Sequence, residues 1–213
     1  MKAGEYVYSG ELKDTLVRVK KANDTVFILQ EPTRYCYHKV FIEKNRKSEY
    51  YNRLTDFKFD KYDIEALEIN YLALKEKYPG NLKNHNTFGL SREWLPLHKY
   101  RNKFYLYAPS DWGDAGRRMI TDSALIYWYM DGPYMEQLEQ LEKISAEKYK
   151  LTSRNFYESD TSFHSLIIHM IDNINKIAVW EYPERSGKFR YELFIAKEKA
   201  KNFEMVVNYC DRS

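Results

Sequence analysis

The chain has 213 residues, with 34 Lys and Arg against 31 Asp and Glu, and a formal net charge of +3. Its 8 Gly and 6 Pro are too few for a collagen-like, low-complexity or linker-like chain, and hydrophobic residues at 44% fit an ordinary soluble globular protein. Tyrosine is the anomaly at 20 residues, and an aromatic share of 16% excludes a disordered chain.

The most apolar stretch, Ala124–Met130, is far shorter than the roughly 20 residues that a transmembrane helix needs. The opening Met1-Lys2-Ala3-Gly4-Glu5-Tyr6 lacks the apolar core of a signal peptide. Two compartments stay open: the cytoplasm, or export with the leader absent from this sequence. Cys36 and Cys210 stand near opposite ends and read as two separate buried thiols. A bridge between them would close nearly the whole chain, which the loop-entropy model credits with about 5 kcal/mol. No CxxC pair or Cys/His cluster supports a metal, and none is expected. The basic stretches Lys39–Lys47, Lys99–Lys103 and Lys197–Lys201 are interrupted by apolar or acidic residues, which disfavours nucleic acid as a partner.

Short alternating runs come first: Glu5–Ser9, Thr15–Lys20, Thr25–Gln30 and Tyr35–Glu43, with a further strand expected at Leu54–Phe59. The period then changes. Ile64, Leu67, Tyr71, Leu74 and Tyr78 fall at helical spacing over 61–78, with Asp60 and Asp63 placed as a capping box and Pro79-Gly80 as the stop. Residues 81–92 form a polar connection that returns the helix to the same sheet system, with a weak subdivision there as the other option. Trp94–His98 and Lys103–Tyr107 read as a hairpin about Tyr100-Arg101-Asn102. Pro109–Arg118 reads as a loop and Met119–Met130 as the strongest strand. Both faces of that strand, Leu125, Tyr127 and Tyr129 against Ile126, Trp128 and Met130, are apolar or aromatic, so it is expected to be covered on both sides. Met135–Ile144 fits a short helix or an irregular edge, and Lys148–Ser153 a strand. Phe163–Ile171, Lys176–Tyr182, Phe189–Lys197 and Phe203–Cys210 form a meander. The fold class is therefore mainly β, or α+β by count. An antiparallel meander forms a barrel or sandwich with one substantial helix, within a single domain over 1–213.

No GxSxG, P-loop, GxGxxG or HExxH motif is present. His164 and His169 are five positions apart, which puts them on opposite faces of a strand. His38, His85 and His98 are isolated. The loop Glu158-Ser159-Asp160-Thr161-Ser162 beside His164 holds the residue types of a catalytic triad without its geometry. Asp111-Trp112-Gly113-Asp114-Ala115-Gly116-Arg117-Arg118 is the most unusual segment. It combines two carboxylates, an indole, two glycines and two guanidinium groups. Arg offers bidentate contacts to carboxylate or phosphate, and Trp a stacking plate. The bland alternative is a turn in which Asp111 and Asp114 pair with Arg117 and Arg118.

In architecture a mainly β chain of this size is similar to lipocalin barrels, but their Gly-x-Trp is missing where this sequence reads Gly4-Glu5-Tyr6. The reading is a non-catalytic binding protein, with no cofactor, that recognises a protein partner or a small amphipathic ligand. An aromatic-rich strand end and the 109–118 loop would do so, through Asp111, Trp112, Asp114, Arg117, Arg118, Tyr127 and Tyr129. One version is an immunity-type inhibitor of a cognate enzyme. The alternative is a carbohydrate-active or other hydrolytic enzyme using two of Asp111, Asp114, Asp122 and Glu181.

Overall fold

The computed structural model describes residues 20–22, 25–32, 37–80, 82–100, 103–109, 116–129, 131–156, 163–184 and 186–211. One sheet holds β1 (Lys20–Ala22), β2 (Thr25–Pro32), β3 (Tyr37–Glu43), β5 (His98–Tyr100), β6 (Lys103–Ala108) and β14 (Glu204–Asp211). Its strand order is β1-β2-β3-β14-β6-β5, and β14 runs parallel to β6. The other strands are β4 (Glu93–Pro96), β7 (Arg118–Ile120), β8 (Ala124–Tyr129), β9 (Gly132–Ser145), β10 (Lys148–Arg154), β11 (His164–Asp172), β12 (Ile177–Pro183) and β13 (Phe189–Ala196). They close into an antiparallel barrel in the order β10-β11-β12-β13-β4-β7-β8-β9. Among the described residues the α-helices are α1 (Glu49–Thr55) and the longer α2 (Lys61–Lys77). None of the described helices is long and apolar enough to cross a membrane.

Period-2 alternation divides the core in two. Leu125 and Tyr127 of β8 point into the lumen, which they share with Trp94, Leu138, Leu151, Ile168, Trp180 and Phe194. Ala124, Ile126 and Trp128 point outward and pack with Leu54, Phe57, Leu74, Leu95, Leu193 and Met205. The expectation that this strand is covered on both sides holds. Burying one such large apolar side chain contributes about 1.5–3 kcal/mol.

The expected helix forms with its capping box: Asp60 Oδ1 accepts from Asp63 N–H at 2.8 Å and Asp63 Oδ2 from Asp60 N–H at 3.2 Å. Its buried face is rotated from the expected stripe, because Ile64 is 55% exposed while Asn70 and Leu74 are buried. Asn70 decides this rotation: its Oδ1 accepts the buried N–H of Met135 on β9 at 3.2 Å, a polar anchor that an apolar count overlooks.

Several expected elements differ. The strand expected over Leu54–Phe59 starts inside α1, which Ser48 caps and buried Tyr51 and Leu54 anchor at i, i+3 spacing. The Tyr51 hydroxyl donates to the Phe203 carbonyl at 2.6 Å, and burial pushes the phenol up to about 12. Trp94–His98 is not one hairpin arm: β4 joins the barrel and β5 pairs with β6 in the other sheet. Met119–Met130 is two strands. The Thr121 hydroxyl accepts from Ser123 and Ala124 N–H, and this local turn ends β7 and starts β8. Met135–Ile144 lies in β9, a full barrel strand and neither a helix nor an edge. Its partners step from Leu138↔Ser153 to Gln140↔Thr152, so Glu139 is bulged out. That extra residue turns a period of two into the helix-like spacing of Leu138 and Leu141. The C-terminal meander stops at β13, and β14 leaves to pair with β3 and β6. Cys210 is disulfide-bonded, which overturns the reading of two separate thiols. The chain's other cysteine, Cys36, lies outside the described residues, as do Glu5–Ser9 and all of Thr15–Lys20 except its last residue.

Candidate functional site

Antiparallel pairing gathers alternate strand ends at one rim of the barrel. There β4, β8, β10 and β12 finish and β7, β9, β11 and β13 begin. Residues 116–118 enter the barrel at this rim, where Arg118 is the first residue of β7. Gly116 is required on that approach: its φ is +65° and a Cβ there would lie 2.7 Å from Pro96 Cγ at the end of β4. Asp111, Trp112 and Asp114 lie outside the described residues.

Of the remaining residues singled out from the sequence, three come together. Arg118 points inward, and its guanidinium lies 4.9 Å from the Tyr127 ring centroid, 5.7 Å from Tyr129 and 5.7 Å from Phe194. Tyr127 and Tyr129 stack at 6.0 Å with 12° between their planes. Tyr127 is buried, whereas Tyr129 is 48% exposed at the rim. Arg117 does not belong to this group. It points outward, over Phe57 at 5.5 Å and Trp128 at 5.2 Å, and donates from Nη1 to the Asp56 carbonyl. Strand alternation alone separates the two adjacent arginines.

Beneath the rim, other barrel strands contribute inward polar groups that were not singled out as a site. Glu136 on β9 accepts from the Ser153 hydroxyl on β10 at 2.5 Å and lies 3.5 Å from His164 Nδ1 on β11. Asn155 Nδ2 is 3.3 Å from the same nitrogen. On the opposite wall Glu192 of β13 lies 3.8 Å from Arg118 Nη2 and 3.3 Å from Arg190 Nε. Tyr182 of β12 stands between these walls, with its hydroxyl out of solvent reach. The signal available in the sequence was the polar residue breaking each apolar alternation, such as Glu136 before Leu138 and Glu192 before Phe194.

Arg118 is 7% exposed, yet its five N–H groups make one hydrogen bond, from Nη1 to the Arg117 carbonyl at 3.0 Å. Nε has no partner, and neither do the Tyr182 hydroxyl or Trp180 Nε1. Burial by itself would lower the guanidinium's affinity for its proton, but Tyr182, Glu192, Tyr127 and Tyr129 outweigh it and the group stays charged. Burial drives the Tyr127 and Tyr182 phenols above their usual range, so both remain O–H donors. Tyr182 lies against Arg118, whose charge and loose side-chain hydrogen bonding both act on the phenol, without reaching the distance and angle of a full hydrogen bond. A buried donor left unpaired costs about 1–3 kcal/mol, so an accumulation of them at one place calls for an explanation.

The other sequence candidates are dispersed. His169 faces outward and meets Glu181 at 2.8 Å, so the odd spacing does send His164 and His169 to opposite faces. Asp122 sits in the β7–β8 turn at the far rim, bonded by the Ser123 hydroxyl at 3.0 Å. Asp122 and Glu181 therefore do not face one another across a cleft. The Ser153 hydroxyl donates to the Glu136 carboxylate and not to an imidazole, which is not the serine–histidine pair of a triad. His85 lies 3.1 Å from the Leu138 carbonyl, and burial pushes His98 in the other sheet down to about 4. The loop over 158–162 lies outside the described residues.

Comparison with protein-family models, curated proteins and solved structures found no match. The geometry of the rim is thus the basis for a functional reading.

Proposed function

We propose that this chain is a non-catalytic binding protein that holds a small amphipathic ligand at the aromatic rim of its barrel. The observation that carries this reading is Arg118: a buried cation ringed by Tyr127, Tyr129 and Phe194, with one hydrogen bond and one ion pair to Glu192 at 3.8 Å. Its buried Nε has no hydrogen-bond partner, and a ligand's polar group would supply one and stabilise the fold on binding. Around it, Tyr129 and Tyr134 lie 6.3 Å apart and Phe156 is 5.8 Å from Tyr134, a surface of rings suited to an apolar ligand body. Such rings also serve protein partners, but the donors lie below the rim and out of solvent contact, which favours a small molecule over a folded surface.

Titrating isotope-labelled protein with the neutral amphiphile 2-naphthol tests the reading by NMR. Saturable shifts at the amides of Tyr127, Tyr129, Tyr134 and Arg118 are expected. Shifts confined to the exposed face of α2, around Ile69 and Leu72, or no saturable shifts, would exclude the rim as a binding site.

A further inference from the structure

Resting on the rim reading above, we infer that the ligand is an aromatic monocarboxylate, its carboxylate seated on Arg118 and its ring among the rim tyrosines. The lumen atoms without a full hydrogen-bond partner are Arg118 Nε and Trp180 Nε1, which can only donate, and the Tyr182 hydroxyl, whose proton is free to donate. They are neighbours. Arg118 lies against Phe194 at 5.7 Å, Trp180 against Phe194 at 4.7 Å, and Tyr182 against Trp180 at 6.4 Å. A cluster of unpaired donors about a guanidinium calls for an acceptor, and the guanidinium fork matches the two oxygens of a carboxylate.

The charges nearby limit that acceptor to a single negative charge. Glu192 is shared between Arg190 at 3.3 Å and Arg118 at 3.8 Å, so it neutralises the Arg118 guanidinium only in part. Glu136 is engaged by Ser153 and His164. Glu192 is close enough to Arg118 that a doubly charged phosphate seated there would meet repulsion that a monoanion meets only in part. Size points the same way. Lower down, the lumen is filled by Trp94, Leu138, Leu151, Ile168 and Trp180, all essentially inaccessible, so a long alkyl tail has no place to extend. The body of the ligand must stay at the rim, where Tyr129, 48% exposed, and Tyr134 beside it at 6.3 Å offer faces and edges.

Calorimetry with three probes of one ring system tests this: 2-naphthoate, the neutral 2-naphthamide and 2-naphthyl phosphate. Naphthoate is expected to bind the wild type at least tenfold more tightly than either of the others. Arg118→Met should abolish that preference while leaving weak naphthamide binding, and Tyr182→Phe, which removes one oxygen from the lumen, should weaken naphthoate three- to tenfold. The second variant keeps the test decisive if the first does not fold. Equal binding of naphthoate and naphthamide, or tighter binding of the phosphate, overturns the carboxylate assignment and leaves the rim reading standing. Binding of none of the three overturns both.

Discussion

The two ends of the barrel lumen follow different rules. The lower part is a packed apolar core, where Trp180 meets Trp94 at 5.8 Å and Phe194 at 4.7 Å, edge-on or tilted as ring quadrupoles prefer. The upper part holds Arg118, Glu136, Ser153, His164 and Glu192 on the same strands, only a few residues further along. Among the described residues the lower part leaves the Trp180 indole N–H without a hydrogen bond, and the upper part leaves Arg118 Nε and the Tyr182 hydroxyl. The strands are continuous through both, so the backbone does not make the difference. One half is a packed apolar core and the other holds buried polar groups, the division that the proposed rim site requires.

That contrast can be tested from the strongest effect downward. Trp180→Ala in the packed half should cost about 3–5 kcal/mol, read as a lower urea midpoint with an unchanged slope. Loss of much less would mean that the lower lumen is not close-packed. Ser153→Ala in the polar half should cost about 1–3 kcal/mol, because it strips the buried Glu136 carboxylate of its 2.5 Å hydrogen bond. A neutral or stabilising result would show that Glu136 is adequately served by His164. Arg117→Met should cost only about 0.5–1 kcal/mol, the value of its contacts with Phe57 and Trp128, and should leave naphthoate affinity unchanged. A fall in affinity as large as that for Arg118→Met would erase the distinction between the inner and outer arginine.

Much of the fold was legible because it rests on local rules. The α2 capping box needs only Asp60 and Asp63 three residues apart, and the double burial of β8 needs only an unbroken apolar run. What misled was local too. A single bulge at Glu139 gave a strand the spacing of a helix, and Thr121 folded a turn into what read as one strand. The rotation of α2 depends on Asn70 meeting Met135, a contact between residues far apart in the chain. The candidate site was legible in part. Arg118, Tyr127 and Tyr129 were singled out from sequence and lie together; Arg117 was singled out with them and lies on the other face.

From composition and pattern alone came a mainly β architecture, one substantial helix and an aromatic strand running toward a basic loop. These are properties of neighbours in sequence, set by side-chain period and capping chemistry. Closure of the barrel was decided only in three dimensions, because it depends on β4 leaving β5 and pairing with β7 and β13. That closure brings Glu136, Ser153, His164, Tyr182 and Glu192 from five separate strands to the same end as Arg118. No spacing rule along the chain contains that meeting, since strand order around a barrel is set by long-range pairing. The tyrosine excess that marks the composition is divided by the same closure. Tyr51 locks a helix to a strand end, while Tyr127, Tyr129 and Tyr182 surround a cation that the fold leaves short of partners.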